Sequence, residues 1–341
     1  MSGLPLVVLF IIIGLTLFML AKGADILVEQ AVALSLRWGV PTVVVGATIV
    51  SLGTTTPEAA VSVAAAISGE PGLALGNAVG SIITDCGLIL GIAAIISPLK
   101  LDRTVVNRQG WIQIGAGFLL VLACVPWLTL ETMFTAGGNL PQWMGFVLVG
   151  LLALYIWKSI AWSRGAPPEG ETAELVEGAK ENKGGTAMVV IKLIIGIAIV
   201  LISSQVLIPA VDITATRIGI PEAIIAATLV AFGTSLPELV TAVTAARRGE
   251  GGLAIGNVIG ADILNVLFVA GLSAAVTPAG LQADPKFFQI LFPGMLILLI
   301  TFRVGIVFHK THLSRPFGVV MLLLYLAVMA STYIFGVSMK G

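Results

Sequence analysis

The sequence predicts an all-α integral membrane protein with ten transmembrane helices, arranged as two five-helix repeats of inverted topology. Three observations carry this expectation. The 341 residues are 57% hydrophobic and only 11% charged, with a mean hydropathy of +1.06, whereas soluble domains carry about 25% charged residues. The stretch GTTTPEAAVSVAAAISGEPGLALGNAVGSIITDCGLILG, from Gly53 to Gly91, recurs without a gap as GTSLPELVTAVTAARRGEGGLAIGNVIGADILNVLFVAG, from Gly233 to Gly271. Finally, each half of the chain contains five apolar runs, an odd number, which forces the two halves into opposite orientations across the bilayer.

A run of about twenty apolar residues can cross the hydrocarbon core. In the first half such runs fall at Leu4–Ala21 (with a tilted continuation to Leu36), Thr42–Ser68, Gly72–Ile96, Gly110–Leu128 and Trp143–Trp162. In the second half they fall at Val189–Val211, Glu222–Ala246, Leu253–Val276, Phe288–Phe308 and Phe317–Tyr333. The first run has no positive charge before it and no small-residue cleavage site after it, so it reads as a membrane helix rather than a signal peptide. Residues 1–162 form the first repeat and 187–341 the second. Between them, 163–186 is rich in Pro, Gly, Glu and Lys, which marks a flexible linker.

The distribution of positive charge gives the orientation. Of the 18 lysines and arginines, only Arg217, Lys286 and Lys340 fall outside if the N-terminus is outside. Both termini are therefore expected outside a plasma membrane, with the linker in the cytoplasm. Lys+Arg and Asp+Glu balance at 18 each, so nothing in the net charge points to a nucleic-acid partner. Cys86 and Cys124 are isolated thiols in apolar surroundings, and no disulfide is expected.

The repeated motif carries the chemistry. Pro57 has no N–H to give Gly53, so the helix should kink or unwind around Ser51–Thr55, and Pro237 should do the same around Ala231–Ser235. In lipid the freed carbonyls need protein, water or an ion. Thr54, Thr55 and Glu58 stand at one break, and Thr234, Ser235 and Glu238 at the other. The turns Ser68–Gly72 and Arg248–Gly252 return a helix against each break, carrying Asn77, Ser81 and Asp85 on one face in the first copy. The second copy carries Asn257, Ala261 and Asn265. Gly76, Gly80, Gly256 and Gly260 allow close helix approach. The expected result is one polar cavity near the midplane with Glu58, Glu238 and Asp85 as its acids. Oxygen donors of this kind suit Na+ or Ca2+, and neither motif offers the His or Cys a zinc or copper site needs beyond Cys86.

Gly233–Leu239, its counterpart Gly53–Ala59, and the Gly-Asn-x-x-Gly segments at Gly76 and Gly256 resemble the two alpha-repeats of the calcium/cation antiporter superfamily, in particular its prokaryotic sodium/calcium exchangers. The resemblance covers both halves. It implies exchange of Na+ for Ca2+ by alternating access at one site. By position it implies Glu58 and Glu238 as central ligands, with Asp85 and Asn265 completing the centre. Thr54, Thr55, Ser81 and the Ser51 carbonyl would form one flanking Na+ site; Thr234, Ser235 and the Ala231 carbonyl would form the other. There are two departures from the pattern. Asp85 and Asn265 reverse the family's usual Asn-then-Asp order, and Ala261 stands where a serine hydroxyl is expected, which leaves room for H+ as the coupling ion.

The functional expectation is a secondary antiporter whose site takes either Ca2+ or Na+ and needs no cofactor or obligatory protein partner. An H+-coupled Ca2+ antiporter is the nearest rival. A cation channel is disfavoured because channels multiply acidic rings by oligomerisation, whereas this chain holds two inverted copies. An enzyme is disfavoured because the embedded polar groups offer no nucleophile–base pair. Asp262 is balanced between supporting the site and packing, and Asp25 with Glu29 reads as a solvated face. Thr84, Thr228, Thr241 and Thr244 read as packing residues.

Overall fold

A computed structural model describes residues 4–163, 185–218, 234–309 and 311–338. Residues 164–184 of the linker, Ala231 and Thr228, all singled out above, lie outside the described residues, as does the first part of the expected span Glu222–Ala246. The described chain is mostly helical. We label its helices α1 (Leu6–Trp38), α2 (Thr42–Thr54), α3 (Thr56–Ile67), α4 (Pro71–Ile96), α5 (Arg103–Cys124) and α6 (Gln142–Ser163). They continue with α7 (Thr186–Arg217), α8 (Leu236–Arg247), α9 (Gly251–Ala275), α10 (Phe287–Phe308) and α11 (Arg315–Ser338).

Seven of these are long and apolar enough to cross a membrane: α1, α4, α6, α7, α9, α10 and α11. α2 and α3 are apolar but each shorter than these, and they follow one another with only Thr55 between them. α5 has the length but not the hydropathy, because Asn107, Arg108, Gln109 and Gln113 crowd its first half. Those polar residues are also why the sequence places its start at Gly110 rather than Arg103. Gln109 and Gln113 are buried and bonded within the protein, Gln109 to the Ser159 hydroxyl at 3.4 Å.

α1 continues unbroken to Trp38, about 50 Å at the helical rise, longer than a bilayer core of about 30 Å. It lies antiparallel to α7. Gly23 fits under Ile199 and Val200, Gly196 fits under Leu27, and Arg217 at the end of α7 donates to the Leu4 carbonyl before α1. The exposed faces of the pair are apolar, as lipid contact requires. Arg248, just beyond α8, ties this pair to the rest of the molecule by an exposed 2.8 Å ion pair with Asp25, so the solvated face expected at Asp25 has a partner.

α4 and α9 form the centre, and all residues of Gly251–Leu264 are buried. α9 runs parallel to α2, with Gly252 against Thr42, Gly256 against Val43 and Gly260 against Ala47 and Ser51. α4 turns back from α3 through Gly69, whose φ of 88° is open to glycine. α4 and α9 therefore run in opposite directions, meeting where Asp85 faces Asn265. The remaining contacts exchange between halves: α4 packs on α11 and α9 on α6, while α5 packs on α10 and α1 on α7. Two short antiparallel ribbons repeat the exchange. Leu99–Lys100 (β1) follows α4 and pairs with His312–Leu313 (β4) before α11; Gly138–Leu140 (β2) before α6 pairs with Leu281–Ala283 (β3) after α9.

Candidate ion-binding site

The prolines break their helices as the missing N–H requires. α2 ends at Thr54, Thr55 sits at φ −82°, ψ −4°, and α3 restarts with Pro57 and Glu58 in its first turn. In the second copy Ser235, at φ −87°, ψ 10°, precedes α8, which has Pro237 and Glu238 in its first turn. Each glutamate thus sits at a helix N-terminus, where the dipole favours negative charge. Both are 1% exposed.

The two breaks meet. Thr55 Oγ1 of the first copy donates to Glu238 Oε1 of the second at 3.2 Å. In the other direction Ser235 of the second copy is buried near Asp85 of the first. Asn265 Nδ2 donates to Asp85 Oδ2 at 3.4 Å, joining the returning helices. Asn77 Nδ2 donates to Ser62 Oγ at 2.9 Å and to the Glu58 carbonyl at 3.4 Å, and its oxygen accepts from Thr234 Oγ1 at 3.3 Å. Asn77 is therefore a brace between the two motifs.

Several buried oxygens at this centre have no donor among the described residues: both of Glu58, one each of Glu238 and Asp85, and the Asn265 amide oxygen. The described residues bring no lysine, arginine or histidine into ion-pair range of these acids. An uncompensated buried carboxylate costs several kcal/mol, so this donor set fits a hard cation as cargo. No three His, Cys, Asp or Glu side chains among the described residues close around one point. Hydroxyl, amide and carbonyl oxygens must complete any coordination, unlike in a carboxylate cage.

The remaining expected ligands are placed as follows. Ser81 is buried on α4, and Ala261 is buried on α9 with no hydroxyl to offer. The Ser51 carbonyl already accepts from the Thr55 N–H at 2.8 Å and the Thr54 hydroxyl at 3.3 Å, so this conformation engages both its lone pairs. Asn257 is fully buried with neither amide atom bonded among the described residues. Thr241 is likewise buried with a free hydroxyl, so packing alone does not account for it.

Sequence reasoning missed two features. α4 and α9 each contain a π-helical turn at the same place, Thr84–Ile89 and Asn265–Ala270, and these turns carry Asp85 and Asn265. The extra residue per turn re-aims side chains, and such turns gather at functional sites; no proline or glycine cluster announces them. The second feature is a polar knot behind Asp85. Asp262 Oδ2 accepts from Cys86 Sγ at 2.9 Å and from Gln113 Nε2, which also donates to Cys86 Sγ at 3.4 Å. Asp262 thus braces α9 against α4 and α5, and Cys86, though free and buried, is not isolated. The one-turn spacing of Gln109 and Gln113 was the available signal.

The profile of the sodium/calcium exchanger protein family matches residues 8–161 and 188–334, both halves of the chain. The chain belongs to the sodium/calcium exchanger family. The exchanger MaX1 of Methanosarcina acetivorans is 32% identical, covering 93% of this chain and 96% of that protein. The inner membrane protein YrbG of Escherichia coli is 33% identical, covering 86% of each. The solved sodium-calcium exchanger NCX_Mj superposes with a TM-score of 0.79 at 26% identity, over 96% of this chain and 99% of that one. As a family member this chain is a multi-pass membrane protein and a cation antiporter, which is not an enzyme class.

Proposed function

We propose that this exchanger moves Ca2+ against Na+ by alternating access at one midplane site built on Glu58 and Glu238. The observation that carries the proposal is the meeting of the two helix breaks through Thr55 and Glu238, beside carboxylate oxygens that have no donor among the described residues. Asp85 and Asn265 complete the centre. Thr54, Thr55, Ser81 and Ser51 flank it on one side, with Thr234, Ser235 and Ala231 on the other. The antiparallel run of α4 and α9 and the exchanged contacts support ten spans in two inverted repeats, 1–162 and 187–341, joined by the cytoplasmic linker 163–186. Both termini then lie outside a plasma membrane.

The charge balance makes exchange obligatory. With Glu58, Glu238 and Asp85 ionised, two or three positive charges offset the cavity, so Ca2+ and a full Na+ load exclude one another. An empty site leaves the acids uncompensated and disfavours a dehydrated, occluded state. The moving element is the α1–α7 pair, which supplies none of the ligands.

Ala261 supports a second reading, in which H+ replaces Na+ at the weaker flank. Ca2+ uptake into vesicles separates the two. A Na+ gradient is expected to drive uptake at least about tenfold faster than a pH gradient of equal driving force; uptake driven by the pH gradient alone overturns Na+ coupling and leaves the ligand assignment standing.

A further inference from the structure

We propose that the cleft between α5 and α6 is a binding site for one anionic phospholipid of the inner leaflet, held by its headgroup at Arg108 and Lys158. The cleft has a volume of about 380 Å3 and is lined by Ile112, Gly115, Ala116 and Leu119 of α5 with Leu151 and Leu154 of α6. These positions repeat at three- and four-residue intervals, giving one apolar stripe on each helix. From Leu151 to Trp162 the stripe runs about 16 Å at the helical rise, half of a core about 30 Å thick. It therefore matches the depth of one leaflet.

One end of the cleft is built differently. Lys158 and Trp162 close it, with Lys158 Nζ 6.0 Å from the Trp162 ring and 4.9 Å from Trp157. The Arg108 guanidinium lies 4.7 Å from the centroid of the same Trp162 ring. Both cations rest on aromatic rings, and neither has a carboxylate within ion-pair distance among the described residues. Arg108 Nε has no acceptor among the described residues. Exposed Trp157 and half-exposed Trp162 mark the headgroup level, where indoles concentrate. Two cations above a one-leaflet apolar groove complement a lipid phosphate and its acyl chain; a basic pocket between cytoplasmic helix ends is a recognised headgroup site.

The floor of the cleft connects to the ion site. Tyr155 lines it and donates to the Ala47 carbonyl at 3.0 Å, inside the π-helical turn Gly46–Val50 of α2. Leu267 lines it two residues beyond Asn265. A bound lipid thus presses on two helices that shape the centre, and transport should depend on it.

Native mass spectrometry of the full chain, titrated with phosphatidylglycerol or phosphatidylcholine of equal acyl length, tests the proposal independently of which ions are carried. The expected wild-type result is roughly thirty-fold tighter retention of phosphatidylglycerol, the preference two basic residues supply. Arg108→Ala with Lys158→Ala should abolish that preference. Gly115→Leu should also abolish it without changing charge; a Cβ at Gly115 meets nothing within 4 Å, so the helix accepts the substitution. Equal retention of both lipids by the wild type overturns the proposal. So does a Gly115→Leu protein that keeps the preference, since the attraction would then be that of a charged surface rather than a groove.

Discussion

Glu238→Gln is expected to lower Na+-driven Ca2+ uptake in vesicles by at least about 100-fold. Removing one partner of a buried charge pair costs about 3–5 kcal/mol, and here the other partner is the transported cation. The amide keeps the volume of the carboxylate and an oxygen for the Thr55 hydroxyl, so the helix break and the packing around it survive. Thermal stability in the absence of ions should hold or rise, because a buried charge has been removed. Glu58→Gln should behave the same way; both of its oxygens lack a donor among the described residues, so no bond among those residues is lost. Uptake that survives Glu238→Gln, with the protein folded, would show that the ligand assignment is wrong.

Gly256→Ala is expected to destabilise the protein by about 1–3 kcal/mol and to cut uptake at least about tenfold. A Cβ at Gly256 would overlap the Val43 carbonyl and fall 2.9 Å from Val43 Cα. The neighbouring contacts are equally close: a Cβ at Gly46 would lie 2.7 Å from the Leu253 carbonyl, and one at Gly260 2.5 Å from Ala47 Cα. These obstacles are backbone, which no rotamer change removes, so α2 must lift off α9 and carry Ser51 and Thr54 with it. Gly150→Ala on α6 is the control. A Cβ there meets nothing within 4 Å, and alanine is the better helix former by about 1 kcal/mol. Thermal melting and flux on the three proteins check both expectations.

The parts of this molecule legible in the sequence follow from local rules. Pro57 lacks a donor wherever it sits, so the break beside Thr55 could be read without a fold. The duplication pointed to Glu58 and Glu238 as partners, and the packing brings their two breaks together. The twin glycines at Gly256 and Gly260 meet α2 as close approach requires, whereas a Cβ at Gly80 meets nothing described; the segment that would mirror Val43–Ser51, residues 223–231, lies outside the described residues. What stayed hidden depends on non-local satisfaction of polar groups. Gln113 and Cys86 become meaningful only once α5 and α4 bring them to Asp262. The polar first half of α5 read as a connection because its partners, such as Ser159, are fifty residues away. The π-helical turns at Asp85 and Asn265 arise from packing and leave no compositional mark.

Calorimetric titration of Ca2+ into the purified protein at rising Na+ concentration tests most directly whether both cations share the oxygens of Glu58 and Glu238. Sharing predicts that apparent Ca2+ affinity falls with more than the first power of Na+ concentration until no Ca2+ heat remains. Ca2+ affinity that stays constant as Na+ saturates the protein would contradict it, because the two ions would then occupy separate sites.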